Sequence, residues 1–110
     1  MILVFRKKAS EKGLKQVAED FDGIYIKVVV DVKREILAAG GERHVDAEQK
    51  LLEDGSKQAD LWGGGADVKS GEIDYNSMIN LRPNQGNLSR EIMSPEVRKK
   101  FDKIVRELLI

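Results

Sequence analysis

The sequence predicts an α+β fold: an antiparallel sheet of four or five strands with three helices packed mostly on one face. Three observations lead to this prediction. Apolar residues alternate with a period of two from residue 24 to residue 32, which is typical of a strand. Stretches near both ends of the chain place apolar residues at helical spacing instead. The chain has 110 residues, enough for one hydrophobic core, so residues 1–110 are predicted to form a single domain.

The first half of the chain is predicted to form β-α-β-β. Residues 2–5 are a short β-prone run that fits an edge strand. A helix is expected at about residues 10–21, because Ser10 is a suitable N-cap and apolar side chains recur on one helical face. A hairpin follows, with a strand at residues 24–32 and its return at residues 36–39, closed by two glycines.

The second half is predicted to form α-β-β-α, which completes the order β-α-β-β-α-β-β-α. Asp46, with Gln49 three residues on, has the pattern of a capping box, so a short helix is expected after it. Strands are expected at about residues 57–65 and 73–81. Ser94 and Pro95 are typical of a helix start, and they predict a last helix at about residues 95–109.

Composition and charge limit the classes of function that the protein can have. Nineteen basic and nineteen acidic residues cancel, which argues against nucleic acid as the partner. RNA docking on the last helix is kept as a third hypothesis, since the basic residues there are Arg98, Lys99, Lys103 and Arg106. No apolar run is long enough for a membrane span. There is no cysteine and no signal-peptide pattern, so the cytoplasm is the expected compartment.

The region from residue 56 to residue 87 is the richest in unusual backbone residues and hydrogen-bonding side chains. Consecutive glycines can present N–H groups to an anion, and arginines add charged donors. The leading hypothesis is a non-catalytic binding module that recognises a small anion or a protein partner through residues 60–90. The candidate binding residues are Trp62, Gly63, Gly64, Asn80, Arg82, Asn87, Ser89 and Arg90.

The same residues have structural interpretations, which stay open at this point. The glycines suit a strand that passes close to another element. Asparagine and serine side chains commonly hydrogen-bond turns and helix ends, and Arg82 has Asp60 and Asp74 as candidate partners. Trp62 is expected to close one end of the core or to line a cleft.

A second set of residues predicts a different chemistry. His44, Asp46 and Glu48 alternate along the chain, so on a strand they would share a face. One imidazole with carboxylates suits Mg²⁺ or Mn²⁺, which makes a metal-assisted hydrolase the alternative function. The competing interpretation is that Asp46 caps a helix, which breaks the alternation. Under the leading hypothesis no cofactor is predicted.

The chain also resembles a small prokaryotic family of uncharacterised domains of about this length. The resemblance rests on V-V-V-D at 28–31, G-G-E-x-H-x-D-A-E at 40–48 and L-L-E-D-G-S-K-Q-x-D-L-W-G at 51–63. It continues through S-M-I-N-L-R-P at 77–83 and G-N-x-S-R-E-I at 86–92. It covers most of the chain, and it implies no activity, substrate or catalytic residue.

Overall fold

A computed structural model describes residues 1–110 and contains five strands and three helices in the predicted order. The strands are β1 (Ile2–Phe5), β2 (Tyr25–Asp31), β3 (Ile36–Gly40), β4 (Leu61–Asp67) and β5 (Ile73–Asp74). The helices are α1 (Glu11–Ala18), α2 (His44–Glu53) and α3 (Pro95–Leu108). All paired strands are antiparallel, in the spatial order β1-β3-β2-β4-β5. The predicted α+β class and element order are confirmed.

Helices cover both faces of the sheet. Successive side chains of a strand point to opposite faces, and β2 is apolar on both. Val28 and Val30 belong to the core beneath α1 and α3, whereas Val29 belongs to a smaller core beneath α2. Two of the three helices therefore share a face, and the third packs alone on the other.

The caps of the first and last helices are as predicted. The Ser10 hydroxyl accepts a hydrogen bond from the Gly13 N–H at 3.0 Å, and Ser94 caps α3 through the Val97 N–H at 3.2 Å. The regular part of α1 ends at Ala18, and a 3₁₀ turn then reaches residue 21. None of the helices combines the length and the apolar composition that a membrane crossing requires.

The second helix begins earlier than predicted. It starts at His44, so Asp46 lies in its first turn and does not cap it. Instead, the Asp46 carboxylate accepts a hydrogen bond from Arg43 Nε at 3.2 Å. Gly40 and Gly41 explain the early start. Both have a positive φ, 104° and 79°, which turns the chain out of β3 within two residues.

The fourth strand starts later than predicted, and the fifth ends sooner. Residues 58–60 form a 3₁₀ turn, so β4 begins at residue 61 and runs on to residue 67. The predicted return strand at 73–81 is wrong beyond Asp74. A strand continuing along β4 would pair with the backbone of Gly63, but the Asn80 side chain bonds both the N–H and the carbonyl of Gly63. An amide side chain thus replaces the missing strand.

Candidate functional site

Residues 75–93 form a long loop, called here the asparagine loop, that is held by buried amide side chains. Asn80 has no exposed surface. Its Oδ1 accepts from the Gly63 N–H at 2.8 Å, and its Nδ2 lies 2.9 Å from the Gly63 carbonyl. The same Nδ2 is within 3.1 Å of the Tyr75 carbonyl and 3.0 Å of the Arg90 carbonyl. One side chain therefore joins β4 to both ends of the loop.

Asn87 ties the second half of the loop together in the same way. Its Oδ1 accepts from the Met93 N–H at 2.9 Å. Its Nδ2 lies 2.8 to 2.9 Å from three backbone carbonyls, those of Asn80, Ser89 and Glu91. Buried polar groups need hydrogen-bond partners, and this side chain provides them for four backbone groups of the loop. The loop is long, but its path is determined by internal hydrogen bonds.

Arg82 and Trp62 meet, as the sequence hypothesis required, but they meet inside the protein. The guanidinium carbon lies 4.5 Å from the centre of the indole ring, a cation–π contact. Arg82 donates to the carbonyls of Leu61, Gln58 (2.8 Å) and Ile79 (2.9 Å). Burial lowers the pKa of Arg82, and the negative charge of buried Glu48 opposes that shift. Both side chains of this pair are buried and in contact, so no cleft lies between them.

The three consecutive glycines of β4 each make room for a neighbour. A Cβ on Gly63 would lie 2.6 Å from the Ser77 Cβ, and one on Gly64 would strike the Asp74 carbonyl. A Cβ on Gly65 would overlap the Tyr25 hydroxyl. All three sit in register with β2, and Gly63 N–H is bonded to Asn80, so they form a regular strand and not an anion nest. Their role is close packing.

A cleft lies on the α2 side of the sheet, where α2 begins, and its lining includes Ser77 and Tyr25, which pack against Gly63 and Gly65. It has a volume of about 370 Å³ and is called here the His44 cleft. Tyr25 and Lys27 reach it from β2, His44 from the first residue of α2, and Asp74 from β5. The asparagine loop supplies the other wall, consisting of Asn76, Ser77, Met78 and Arg90.

A tyrosine–aspartate pair forms one side of the cleft. The Tyr25 hydroxyl donates to Asp74 Oδ2 at 2.6 Å, across the space left by Gly65. Burial, together with this hydrogen bond to a carboxylate, raises the pKa of Tyr25 well above its ordinary value. The other carboxylate oxygen accepts from the Asn76 N–H at 3.2 Å. Tyr25 is therefore a neutral donor, and the charge of Asp74 is partly satisfied within the protein.

His44 lines the cleft with one of its two ring nitrogens bonded to the backbone. Its Nε2 lies 2.6 Å from the Gly64 carbonyl, which can only accept, so Nε2 carries the proton. Burial lowers the pKa of His44, and the positive charge of Lys27 acts in the same direction. The Gly64 carbonyl and the Asp74 charge oppose the shift without cancelling it. At neutral pH the ring is uncharged, with the lone pair on Nδ1.

The lowered pKa of His44 predicts a pH dependence of stability. The unfolded chain takes up a proton below pH 6.5, the ordinary value, whereas the folded protein resists it. This contribution to the free energy of unfolding is therefore complete above 6.5 and is lost as the pH falls toward the folded-state pKa. His44 is the only histidine, so an NMR titration reports it directly, and we expect a midpoint below 6.5.

Urea unfolding on both sides of pH 6.5 should show the same effect as a difference between the wild type and His44→Gln, which keeps a donor but cannot titrate. A midpoint above 6.5 would mean that the imidazolium is stabilised in the fold, contrary to this assignment.

The ligand set of the predicted metal site does not assemble. Residues two apart on a helix do not share a face, and α2 contains all three members. His44 is bonded to Gly64, Asp46 pairs with Arg43 at the surface, and Glu48 is buried. No group of three or more histidine, cysteine, aspartate or glutamate residues could hold a metal ion. The structure therefore does not bring His44, Asp46 and Glu48 together as a metal site, and a metal-assisted hydrolase stays a prediction.

The structure separates the predicted binding residues into two groups. Arg90 lines the His44 cleft. The remainder build or border the asparagine loop: Trp62, Gly63, Gly64, Asn80, Arg82 and Asn87 are buried, and Ser89 is half-buried, its hydroxyl accepting from the Glu91 N–H. Several large apolar side chains of this loop are exposed: Met78, Leu81, Leu88 and Met93. The sequence also predicted a protein partner for this region, and such a partner would contact these exposed apolar side chains.

Of the residues that line the His44 cleft, the sequence pointed only to His44 and Arg90. Tyr25 and Lys27 alternate with core residues of β2, and Asp74 and Asn76 alternate with apolar residues after the Lys69-Ser70-Gly71 turn. Each pattern indicates a polar face on one strand, and only this pattern in the sequence could have pointed to these four cleft residues. Nothing in the sequence indicates that the two faces meet, because their pairing runs through β4.

The comparisons with known proteins identify a family but no activity. A family model described as "Protein of unknown function (DUF5674)" matches residues 3–108. No curated protein and no solved structure matches the chain.

Proposed function

Because the chain belongs to the DUF5674 family, whose function is unknown, we propose one from the chemistry of the cleft. The protein is a binding module that holds a small organic anion in the His44 cleft. The observation that carries this proposal is the presence of two basic side chains, Lys27 and Arg90, at a cleft whose only carboxylate already has partners. The size supports it too, since ligand pockets range over roughly 300–1,000 Å³.

The cations of the cleft are free to bind. Arg90 is exposed and takes part in none of the ion pairs of the protein. Lys27 Nζ donates to the Glu42 carbonyl at 2.7 Å, which positions the ammonium group and leaves it further donors. A guanidinium offers paired N–H groups that fit a carboxylate or phosphate. An anion between these two side chains would gain two charge-assisted interactions.

The other groups of the cleft favour an organic ligand over a bare inorganic ion. The Nδ1 of His44 is an acceptor, so it can take a hydrogen bond from a hydroxyl or amine of the ligand. Ser77 and Asn76 add neutral polar groups, and exposed Met78 gives one apolar wall. The asparagine loop is held by buried hydrogen bonds, so binding would cost little ordering of the backbone.

This proposal predicts that Arg90→Gln and Lys27→Gln weaken binding by about tenfold or more each, because a hydrogen bond to a charged group contributes about 1.5–3 kcal/mol. The probes are succinate, malate and inorganic phosphate, and the measurement is NMR titration of backbone amides at low ionic strength. We expect malate to bind more tightly than succinate, because its alcohol hydroxyl can donate to His44, and more tightly than phosphate, which has no organic part to contact Met78.

The matched control is Arg43→Gln, which removes an arginine that is exposed at the start of α2 but lies outside the cleft. It should leave the affinity unchanged. Equal losses in Arg43→Gln and Arg90→Gln would indicate general attraction to positive charge and would refute a specific site.

A further inference from the structure

A second cavity lies at the opposite end of the sheet, between the turn joining β2 to β3 and the middle of α3. It has a volume of about 390 Å³ and is lined by Val32, Lys33, Glu35, Lys100, Lys103 and Ile104. It is called here the lysine cavity. Three lysines and one glutamate give it a net charge of +2. A cavity that carries one sign of charge concentrates counter-ions of the other sign.

The lysines of this cavity are not neutralised by the protein. Lys33 and Lys100 take part in no ion pair. Lys103 has Glu107 at 4.0 Å, both of them largely exposed, so that contact is weak. Three ammonium groups that share one cavity with a single carboxylate, that of Glu35, repel one another. An anion in the cavity would relieve that repulsion.

The turn that supplies Lys33 and Glu35 is held in place from inside. Asp31 is fully buried, and its Oδ1 accepts from the N–H groups of Lys33 at 3.0 Å and Arg34 at 2.9 Å. Glu35 N–H donates to the Asp31 carbonyl at 2.9 Å. Glu35 has a φ of 57°, a left-handed conformation that a residue with a side chain rarely adopts. Such conformations concentrate at functional sites.

More positive charge flanks the lysine cavity. The pairing of Phe5 with Leu37 brings the end of β1 to the β2–β3 turn. Arg6, Lys7 and Lys8 follow β1, and Arg6 and Arg34 share the carboxylate of Asp54. The positive surface therefore extends beyond the cavity, which favours a ligand with several charges over a monoanion.

We propose that the lysine cavity binds adjacent phosphate groups of a multiply charged ligand through Lys33, Lys100 and Lys103. Lysine acts toward phosphate as a point charge with several donors, so a group of three suits an anion whose charge is spread over many oxygens. The same chemistry is offered by a nucleoside triphosphate and by the backbone of a single-stranded nucleic acid. The site is independent of the His44 cleft, with which it shares no residue.

The test titrates the full chain with inorganic triphosphate, with ATP and with a short oligothymidylate, by NMR at low salt. We expect triphosphate and ATP to shift the amides of Lys33, Glu35, Lys100 and Lys103, and binding to weaken as salt is added. Lys33→Gln and Lys100→Gln should each reduce the affinity about tenfold. Both lysines are exposed, so both variants are expected to fold, and their thermal midpoints check this.

Lys12→Gln and Lys50→Gln, exposed lysines of α1 and α2, are the matched controls and should bind as the wild type does. The amides of Lys33 and Lys100 report this cavity, and those of His44 and Asn76 report the His44 cleft, so the failure of one proposal is distinguishable from the failure of the other. Tighter binding of oligothymidylate, lost in the same two variants, would assign the phosphates to a nucleic acid, and triphosphate binding alone would assign them to a small ligand. The proposal is overturned when none of the three probes binds, or when control and cavity variants lose affinity equally.

Discussion

Asn80→Ala is expected to lower the free energy of unfolding by about 3–4 kcal/mol, a large share of the stability of a small domain. The substitution leaves the Gly63 N–H and carbonyl without the partner that the fully buried Asn80 side chain provides. The Tyr75 and Arg90 carbonyls each lose one donor and keep another, the N–H of Ile92 and of Ser77 respectively. Each unsatisfied buried group costs about 1–3 kcal/mol, and water entering the space left behind recovers part of that cost. Urea unfolding followed by Trp62 fluorescence measures the change.

Asn84→Ala is the matched control, because Asn84 is exposed on the same loop. It should change the stability by less than about 0.5 kcal/mol. Asn80→Asp is the sharper comparison. It retains an acceptor for the Gly63 N–H but loses every donor and buries a charge, so it should cost at least as much as alanine. A loss below about 1 kcal/mol in Asn80→Ala would show that the loop holds its shape without this residue.

Gly64→Ala is expected to destabilise the protein by about 3 kcal/mol. The new methyl group would meet the Asp74 carbonyl on β5 and lie 2.7 Å from the Phe101 ring. Neither neighbour is the flexible end of a side chain, so β4 and β5 must separate. Because Asp74 lines the His44 cleft, ligand binding should weaken along with stability. Thermal unfolding and the titration described above report the two effects.

Gly13→Ala provides the comparison for a glycine whose neighbours can move. An added methyl group there lies 3.3 Å from Phe5 Cε1 and from Ser10 Oγ, and alanine is the better helix former by roughly 1 kcal/mol. The net change should stay within about 1 kcal/mol of the wild type. If Gly64→Ala lowered the free energy of unfolding no more than Gly13→Ala does, close packing would not explain why β4 has glycine at position 64.

The parts of the fold that the sequence predicts well are those set by neighbouring residues. Ser94 and Pro95 mark the start of α3 by local hydrogen bonding and a fixed φ, and the alternation around Val28 defines β2 by itself. The end of β5 depends on a contact between residues 63 and 80, seventeen positions apart. No local sequence pattern predicts that the Asn80 side chain will bond the backbone of β4 in place of a strand.

The candidate site was predicted less well for the same reason. A polar side chain can bind a ligand only where it stays exposed. Asn80, Arg82 and Asn87 are buried, so they hydrogen-bond the backbone of the protein instead. The His44 cleft collects side chains from β2, α2, β5 and the asparagine loop, so its composition follows from the order of strands in the sheet. Arg90 is the one predicted binding residue that the fold leaves available there.

The buried and the exposed polar groups therefore have complementary roles. The carbonyl of Arg90 is fixed by Asn80, while its side chain extends to the cleft. The Ser77 N–H donates to that same Arg90 carbonyl at 3.0 Å, which links the two segments of the asparagine loop that form the cleft wall. A rigid second layer of this kind supports a binding site.

The most direct test of the account is a map of backbone amide shifts of the wild-type protein on titration with malate. We expect a saturable response centred on Lys27, His44, Asn76, Ser77 and Arg90, with the His44 ring signals moving as Nδ1 gains a donor. A response confined to other parts of the surface, or no response at millimolar malate, would contradict it.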